Sequence, residues 1–399
     1  MPSLTEPGDR LARFNAWVLA AAAALAGANA SVVVATSGLV GRTLTGELRY
    51  ATIPVLTFVL GTAAFAFPAA FSMRHFGRRA GFAGGAQLGV VAGLIGAYAI
   101  VKGLFLLFCF GTFCAGGYQA FVVQYRFAAA DTATPAYRAR AIALALGGGL
   151  AAAVVGPQLI LATQDLWPPY LFAATYIGQA AFGGLAFLVL LLLRAPPPHQ
   201  LPVGKGRPIG EILADPGILA AILLGMVSQG VMNLMMTSTP LAMVGCGLPA
   251  SSAPYAIQWH IIGMYAPSFV TGRLIARFGV VRIGLLGCAI FLACGAVAEA
   301  GISVSHFNVA LALLGIGWNF TFLSATATVA NLTWPQERAK VQATNDFIVF
   351  GGTAFAAYFS GVLLSVFGWN GIAATAFPAA CLGAALILVS LRARRFAVA

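Results

Sequence analysis

Charge is scarce in this chain. Only 8% of its 399 residues are charged, and just ten are acidic. No charge-rich stretch large enough for a soluble domain is left over, so an ordinary soluble globule is excluded. The six cysteines are Cys109, Cys114, Cys246, Cys288, Cys294 and Cys381; no two form a C-x-x-C pair, and no histidine sits at ligand spacing. The cysteines read as small apolar packing residues, and no metal site is expected. No nucleophile triad and no phosphate loop appears. The 47 glycines are dispersed through apolar runs, where they let helices approach and bend. The sequence therefore points to no catalytic residue and no cofactor, and to a protein that is not an enzyme.

What is present is apolar length. Mean hydropathy is +0.91, and about 20 apolar residues suffice to span a bilayer as a helix. Stretches of that length recur near 14–38, 51–73, 80–101, 104–128, 139–162, 169–193, 216–242, 252–274, 281–301, 306–330, 341–366 and 370–391. An all-α integral membrane protein of about twelve spans is predicted. The first stretch follows a short polar leader with Arg10 and Arg13, has no A-x-A after it, and is too long for a signal-peptide core; it reads as a retained helix.

Basic residues occupy alternate gaps. With both termini in the cytoplasm, 19 of the 22 Lys and Arg fall on that side, and only Arg42, Arg49 and Lys102 fall outside. This asymmetry orients a multi-pass membrane protein. The net charge of +12 is then a topology signal, and no nucleic-acid partner is expected.

Residues 195–215 are polar for this chain, and Pro196, Pro197 and Pro198 stop the preceding helix. The expected division is a six-helix bundle over 1–194, a cytoplasmic linker over 195–215 and a second six-helix bundle over 216–399. Internal similarity supports it. M-R-H-F-G-R-R-A-G-F at 73–82 has a weak echo in G-R-L-I-A-R-F-G-V-V-R at 272–282. Arg138-x-Arg140 returns as Arg338-x-Lys340, and Asp131 and Asn331 stand at the same offset. Parallel six-helix repeats occur in one large class of secondary transporters.

Together these features resemble the major facilitator superfamily over essentially the whole chain. The superfamily's loop signature is G-x-x-x-D-R-x-G-R-R. Here Gly77, Arg78 and Arg79 match its end, Arg74 occupies the acid position and the leading glycine is absent. The departure falls on the residue that, in relatives, latches the outward-facing state. The second copy keeps Gly272, Leu274, Arg277 and Gly279, again without the acid, and is followed by Arg282. The resemblance implies that these loop residues set the balance between conformations, with Arg78 pairing with Asp131; two separately solvated charges are the alternative. The strings at 126–131, 147–158, 225–243, 317–320 (GWNF) and 337–351 resemble a bacterial group mostly without assigned substrates. Riboflavin uptake is attributed to similar proteins, so a riboflavin-like solute is the implied substrate. Gly156-Pro157 matches only part of an exporter signature and reads better as a kink permitting close helix approach.

The resemblance also implies that the first, fourth, seventh and tenth spans line a cavity. Span seven carries Gln229, Asn233 and Thr237 every four residues, hence on one helix face. Met232, Met235 and Met236 lie beside them, an edge suited to a flat aromatic solute. Asn29 and Thr36 in span one, Tyr118, Gln119 and Gln124 in span four, and Trp318, Asn319 and Phe322 in span ten complete the candidates, with Gln258 and Trp259 in span eight. Each has a bland reading as an interhelical hydrogen bond or packing residue. No carboxylate maps near a midplane. Proton coupling would run through His260, Glu299 or Asp346, and Asp346 reads equally as a helix-start acid. The leading expectation is a monomeric carrier, active or facilitative, of a small organic solute. Its two bundles would rock to give alternating access, with protons as a candidate partner. Drug or metabolite efflux by proton antiport is the alternative; a membrane receptor without transport, or a membrane-embedded enzyme, is the alternative from another class.

Overall fold

The computed structural model describes residues 7–134, 137–194, 207–334 and 337–396. Among them there are helices and turns but no strand. The chain divides into two compact units, Met1–Gln200 and Leu201–Ala399. The first holds α1 (Pro7–Thr45), α2 (Ile53–Lys102), α3 (Phe105–Val122), α4 (Tyr125–Asp131), α5 (Arg138–Thr163) and α6 (Ala173–Leu190). The second holds α7 (Ile209–Ala214), α8 (Pro216–Gly245), α9 (Ala253–Tyr265), α10 (Ser268–Phe278), α11 (Val280–Ala300), α12 (Val304–Leu332), α13 (Arg338–Ala374) and α14 (Ala376–Phe396). Residues 195–206 of the expected linker, Lys205 included, lie outside the described residues; α7 occupies its end.

Nine helical stretches among the described residues are long and apolar enough to cross a bilayer. One of them doubles back at Gly77, α9 and α10 together cover another apolar stretch, and Ala376–Leu391 adds a shorter apolar helix. The twelve expected spans are thereby accounted for.

The reversal inside α2 is set by Gly77, at φ 83 and ψ 163, a region that only glycine enters at low cost. A β-carbon built on Gly81 would sit 2.8 Å from Cγ of Met73. Eight residues of straight helix would separate them by about 12 Å, so the chain has turned. Gly279, between α10 and α11, has φ 85 and ψ 156. The two units thus make the same turn with the same residue.

Close helix contacts repeat as well. A β-carbon on Gly61 of α2 would overlap the carbonyl oxygen of Phe113, and one on Gly116 of α3 that of Phe58. In the second unit, Gly263 of α9 and Gly315 of α12 stand against the carbonyl oxygens of Ala312 and His260 in the same way. Small residues at such crossings let backbones touch where lipid supplies no hydrophobic drive. The core of the first unit follows suit: many alanines surround a few large side chains, among them Phe82, Tyr118, Phe121 and Leu190.

Two expected continuous spans are interrupted. The stretch at 104–128 turns at Val123–Gln124 between α3 and α4, and that at 252–274 breaks at Ala266–Pro267 between α9 and α10. Pro157 and Pro240, by contrast, lie inside unbroken helices. At Gly156 a β-carbon would press on Ser31, so this glycine admits α1 closely while α5 runs on.

Candidate substrate site and loop anchors

The polar face of α8 meets α12. The indole Nε1–H of Trp318 donates to Oε1 of Gln229 at 2.6 Å. Beside this bond, the hydroxyls of Ser228, which precedes Gln229, and of Thr321, on the turn of α12 that follows Trp318, are 2.5 Å apart. Trp318 stacks on Phe322, one turn along α12, with centroids 4.9 Å apart and planes 13° off parallel. Gln229, Trp318 and Phe322 are all half-buried. One turn further on α8, buried Asn233 accepts from Thr237 at 3.4 Å, and Met232, Met235 and Met236 are buried beside them. The structure therefore brings together the Gln229 amide and the two rings.

The span-one candidates are engaged in packing contacts. Asn29 donates to the Ala115 carbonyl at 3.0 Å and accepts from Nε2 of Gln179 at 2.9 Å. It thus links α1, α3 and α6. The Thr36 hydroxyl lies 2.7 Å from the Val32 carbonyl and 3.3 Å from the Tyr176 hydroxyl. Gln179 was not singled out from the sequence. A lone glutamine in an apolar run carries no spacing signal, and its partner lies 150 residues away. Tyr118 is buried; its hydroxyl and that of Tyr125 interact with each other, but neither reaches hydrogen-bond geometry. Gln119 and Gln124 are half-buried.

Asn319 is fully buried and fully bonded. Its Nδ2 donates to the Met264 carbonyl at 2.7 Å and to Oγ of Ser268 at 2.6 Å, while Oδ1 accepts from Thr271 at 2.6 Å. It therefore braces the break between α9 and α10, where Pro267 supplies no amide hydrogen. On α9, Gln258 is half-buried, Trp259 is 48% exposed, and His260 is buried with Nδ1 3.0 Å from the Leu311 carbonyl. Among the described residues, no hydrogen-bond partner meets its Nε2. Glu299 is exposed at the end of α11, and Asp346 accepts from Gln342 at 2.7 Å and from Asn345 at 3.1 Å.

Among the loop residues, Nε of Arg78 donates to Oδ2 of Asp131 at 2.9 Å, with side chains 26% and 37% exposed. Arg74, Arg79, Gly272, Arg277 and Arg282 are exposed, and Arg277 lies over the Phe278 ring. A second ion pair was not anticipated. Glu337, between α12 and α13, is fully buried and accepts from Nε, Nη2 and the backbone amide of Arg207 at 2.8, 2.9 and 2.9 Å. Nζ of Lys340 donates to the Arg207 carbonyl, and the Arg207 guanidinium lies 4.6 Å from the Trp334 ring centre. The guanidinium hydrogen bonds hold the Glu337 carboxyl at about 2, well below its usual range. No group of three or more potential metal ligands occurs among the described residues.

Two repeated bundles of membrane-spanning helices, with amides and aromatics inside the spans, define a secondary transporter in class. The chain matches the model of the Major Facilitator Superfamily over residues 17–333, and it belongs to that superfamily. It is a multi-pass membrane transporter of a small solute. It is 45% identical to the riboflavin transporter RfnT of Brucella anthropi over 383 residues, 95% of each chain. It is 32% identical to YddS of Bacillus subtilis, a transporter of the same type described as uncharacterized, over 85% of this chain and 82% of that one. Among solved structures, the nucleoside transporter NupG has a TM-score of 0.74 at 12% identity, covering 96% of this chain and 99% of that one. The D-xylose-proton symporter has a TM-score of 0.71 at 13% identity, covering 94% and 97%.

Proposed function

We propose that the protein carries riboflavin, or a solute with the same flat ring system, into the cell across the bacterial inner membrane. The observation that supports this reading best is the 45% identity to a riboflavin transporter along 95% of both chains. The span-seven and span-ten side chains suit it chemically: aromatic and methionine surface for a ring, amides and hydroxyls for its polar edge. Both termini lie in the cytoplasm on this reading, as the distribution of Lys and Arg favours. Movement is by alternating access. The Arg78–Asp131 pair contributes to the balance between states, together with Arg74, Gly77, Arg79, Gly272, Arg277, Gly279 and Arg282. Asn29, Thr36 and Asn319 support the site through the helices they join, whereas Gln229, Asn233, Met236, Thr237, Trp318 and Phe322 take part in it directly.

Uptake of labelled riboflavin into proteoliposomes tests the proposal. Saturable uptake, competed by unlabelled riboflavin and not by a sugar or an amphipathic amine, is expected. A folded, reconstituted protein that moves none would overturn it. Repeating the assay with the pH gradient collapsed separates proton-coupled from facilitated movement. If movement is coupled, Asp346→Asn tests the acid inside α13, with His260 and Glu299 as the other candidates.

A further inference from the structure

The hydrogen bond between α8 and α12 has a fixed polarity. An indole N–H only donates, whereas a glutamine amide offers one accepting oxygen and a donating NH2 group. Trp318 Nε1 donates to Oε1 of Gln229 at 2.6 Å. The amide is therefore held in one of its two orientations, with the oxygen turned to α12 and the NH2 group left to donate elsewhere. Gln229 is half-buried rather than enclosed, so that group can meet a solute. The same indole is stacked on Phe322 with planes 13° apart. Two near-parallel rings form a rigid slab, and its outer surface accepts a third flat ring in offset contact. One tryptophan thus orients the amide and contributes to the slab.

We propose that Trp318 and Phe322 stack the solute's ring system while Gln229 donates to an acceptor-rich ring edge, making Gln229 a specificity-determining residue for solutes that accept there. The inference rests on the flavin reading above. An isoalloxazine fits both requirements: it is flat, and along its edge ring nitrogens sit next to carbonyl oxygens as acceptors. A purine or sugar of similar size that offers a donor at this point would leave the NH2 group facing another donor. An unpaired buried polar group of this kind is the strong form of discrimination, far stronger than a change of apolar volume.

Riboflavin fluorescence provides the test, because stacking on an indole quenches it. Titration of the purified full-length protein should quench the flavin. Gln229→Glu still accepts from Trp318 but, as a carboxylate, cannot donate and adds a charge, so it is read together with an uncharged variant. It should bind riboflavin about tenfold more weakly or worse and quench to the same depth at saturation. Gln229→Met keeps the side-chain length, removes both polar atoms and should lose comparable affinity, so the result does not hang on one variant folding. Trp318→Phe should still bind, less tightly, with most of the quench gone. Wild-type affinity in both Gln229 variants would overturn the donor assignment. An undiminished quench in Trp318→Phe would overturn the stacking. A wild-type protein that neither binds nor transports riboflavin sinks the flavin reading instead, so the two failures are distinguishable.

Discussion

The two units share one plan but tie their loops by opposite means. In the first, the turn at Gly77 is held to the end of α4 by Arg78 and Asp131, and both side chains keep partial solvent access. At the corresponding places in the second unit stand Val280 and Asn331, so both halves of that pair are absent together while the glycine turn persists at Gly279. The entry segments differ too. Asp9 accepts from the backbone amide and hydroxyl of Thr134 at 3.3 Å each, an acid reaching neutral donors. The segment before α7 in the second unit instead offers a base, Arg207, clasping fully buried Glu337. The turn therefore does not depend on the ion pair beside it. An exposed pair contributes roughly 0–1 kcal/mol and can open and close during a transport cycle. A buried carboxylate with three bonds from one arginine cannot open cheaply and acts as a fixed anchor.

The sharpest way to break this contrast is to cut the fixed anchor. Arg207→Ala should lower the melting temperature of the protein by several degrees, because Glu337 is left buried without its cation. The damage should be local. On mild heating, a thiol-reactive probe should reach Cys288 and Cys294 before Cys109 and Cys114, all four being buried in the native protein. The same anchor sets an acid limit. The carboxyl titrates at about 2 when folded against a usual value of 4.5, so the unfolded chain binds this proton first. The anchor's contribution is complete above about pH 4.5 and is lost as pH falls towards 2. Thermal melts between those limits should steepen in the wild type and flatten in Glu337→Gln.

Next in size is the shared crossing. Gly315→Ala should cost about 1–3 kcal/mol through overpacking against the His260 carbonyl, and Gly116→Ala should cost a similar amount in the first unit. A large inequality, read by urea or thermal unfolding, would show that the repeat is not mechanically equivalent. Smaller again on stability is the open pair. Arg78→Ala and Asp131→Ala should each change melting by a degree or two at most, yet slow transport, and the double variant should be no slower than the worse single one. Additive losses would refute coupling. The smallest effect is expected from grafting: Val280→Arg with Asn331→Asp should leave stability within about 0.5 kcal/mol and alter transport rate alone.

How much of this was legible beforehand follows from the range of each interaction. The spans and their pairing into two units could be read because bilayer thickness imposes a length on every apolar run, and Lys and Arg mark the gaps. The Arg78–Asp131 contact could be named because a motif carries both the arginine and its place in a loop. Arg207–Glu337 could not: no local pattern links residues 130 positions apart. The helix breaks divided in the same way. Pro267 interrupts a span while Pro157 and Pro240 do not, and at Pro267 it is Asn319 of α12, distant in sequence, that bonds the groups around the break. On α8 the four-residue spacing of Gln229, Asn233 and Thr237 identified a face, but Trp318 as the group that orients Gln229 emerges only in three dimensions. Asn29 and Asn319 were candidates too, without that spacing, and their bonds are spent on neighbouring helices.

Asn319 also bears on how the chain is made. The ribosome delivers α9 and α10 well before α12, and the asparagine that satisfies Met264, Ser268 and Thr271 lies 48 residues beyond Thr271. Until it arrives, the broken span has only its local bonds, from the Ser268 hydroxyl to the Met264 carbonyl at 3.4 Å and from the Thr271 hydroxyl to the Pro267 carbonyl at 2.8 Å, and hydrocarbon offers their remaining capacity no partner. The segment is thus a poor independent entrant to the bilayer and is best released from the insertion machinery together with α12. If α12 is needed to complete these bonds during insertion, a variant such as Asn319→Leu should show its defect first in the yield of inserted protein.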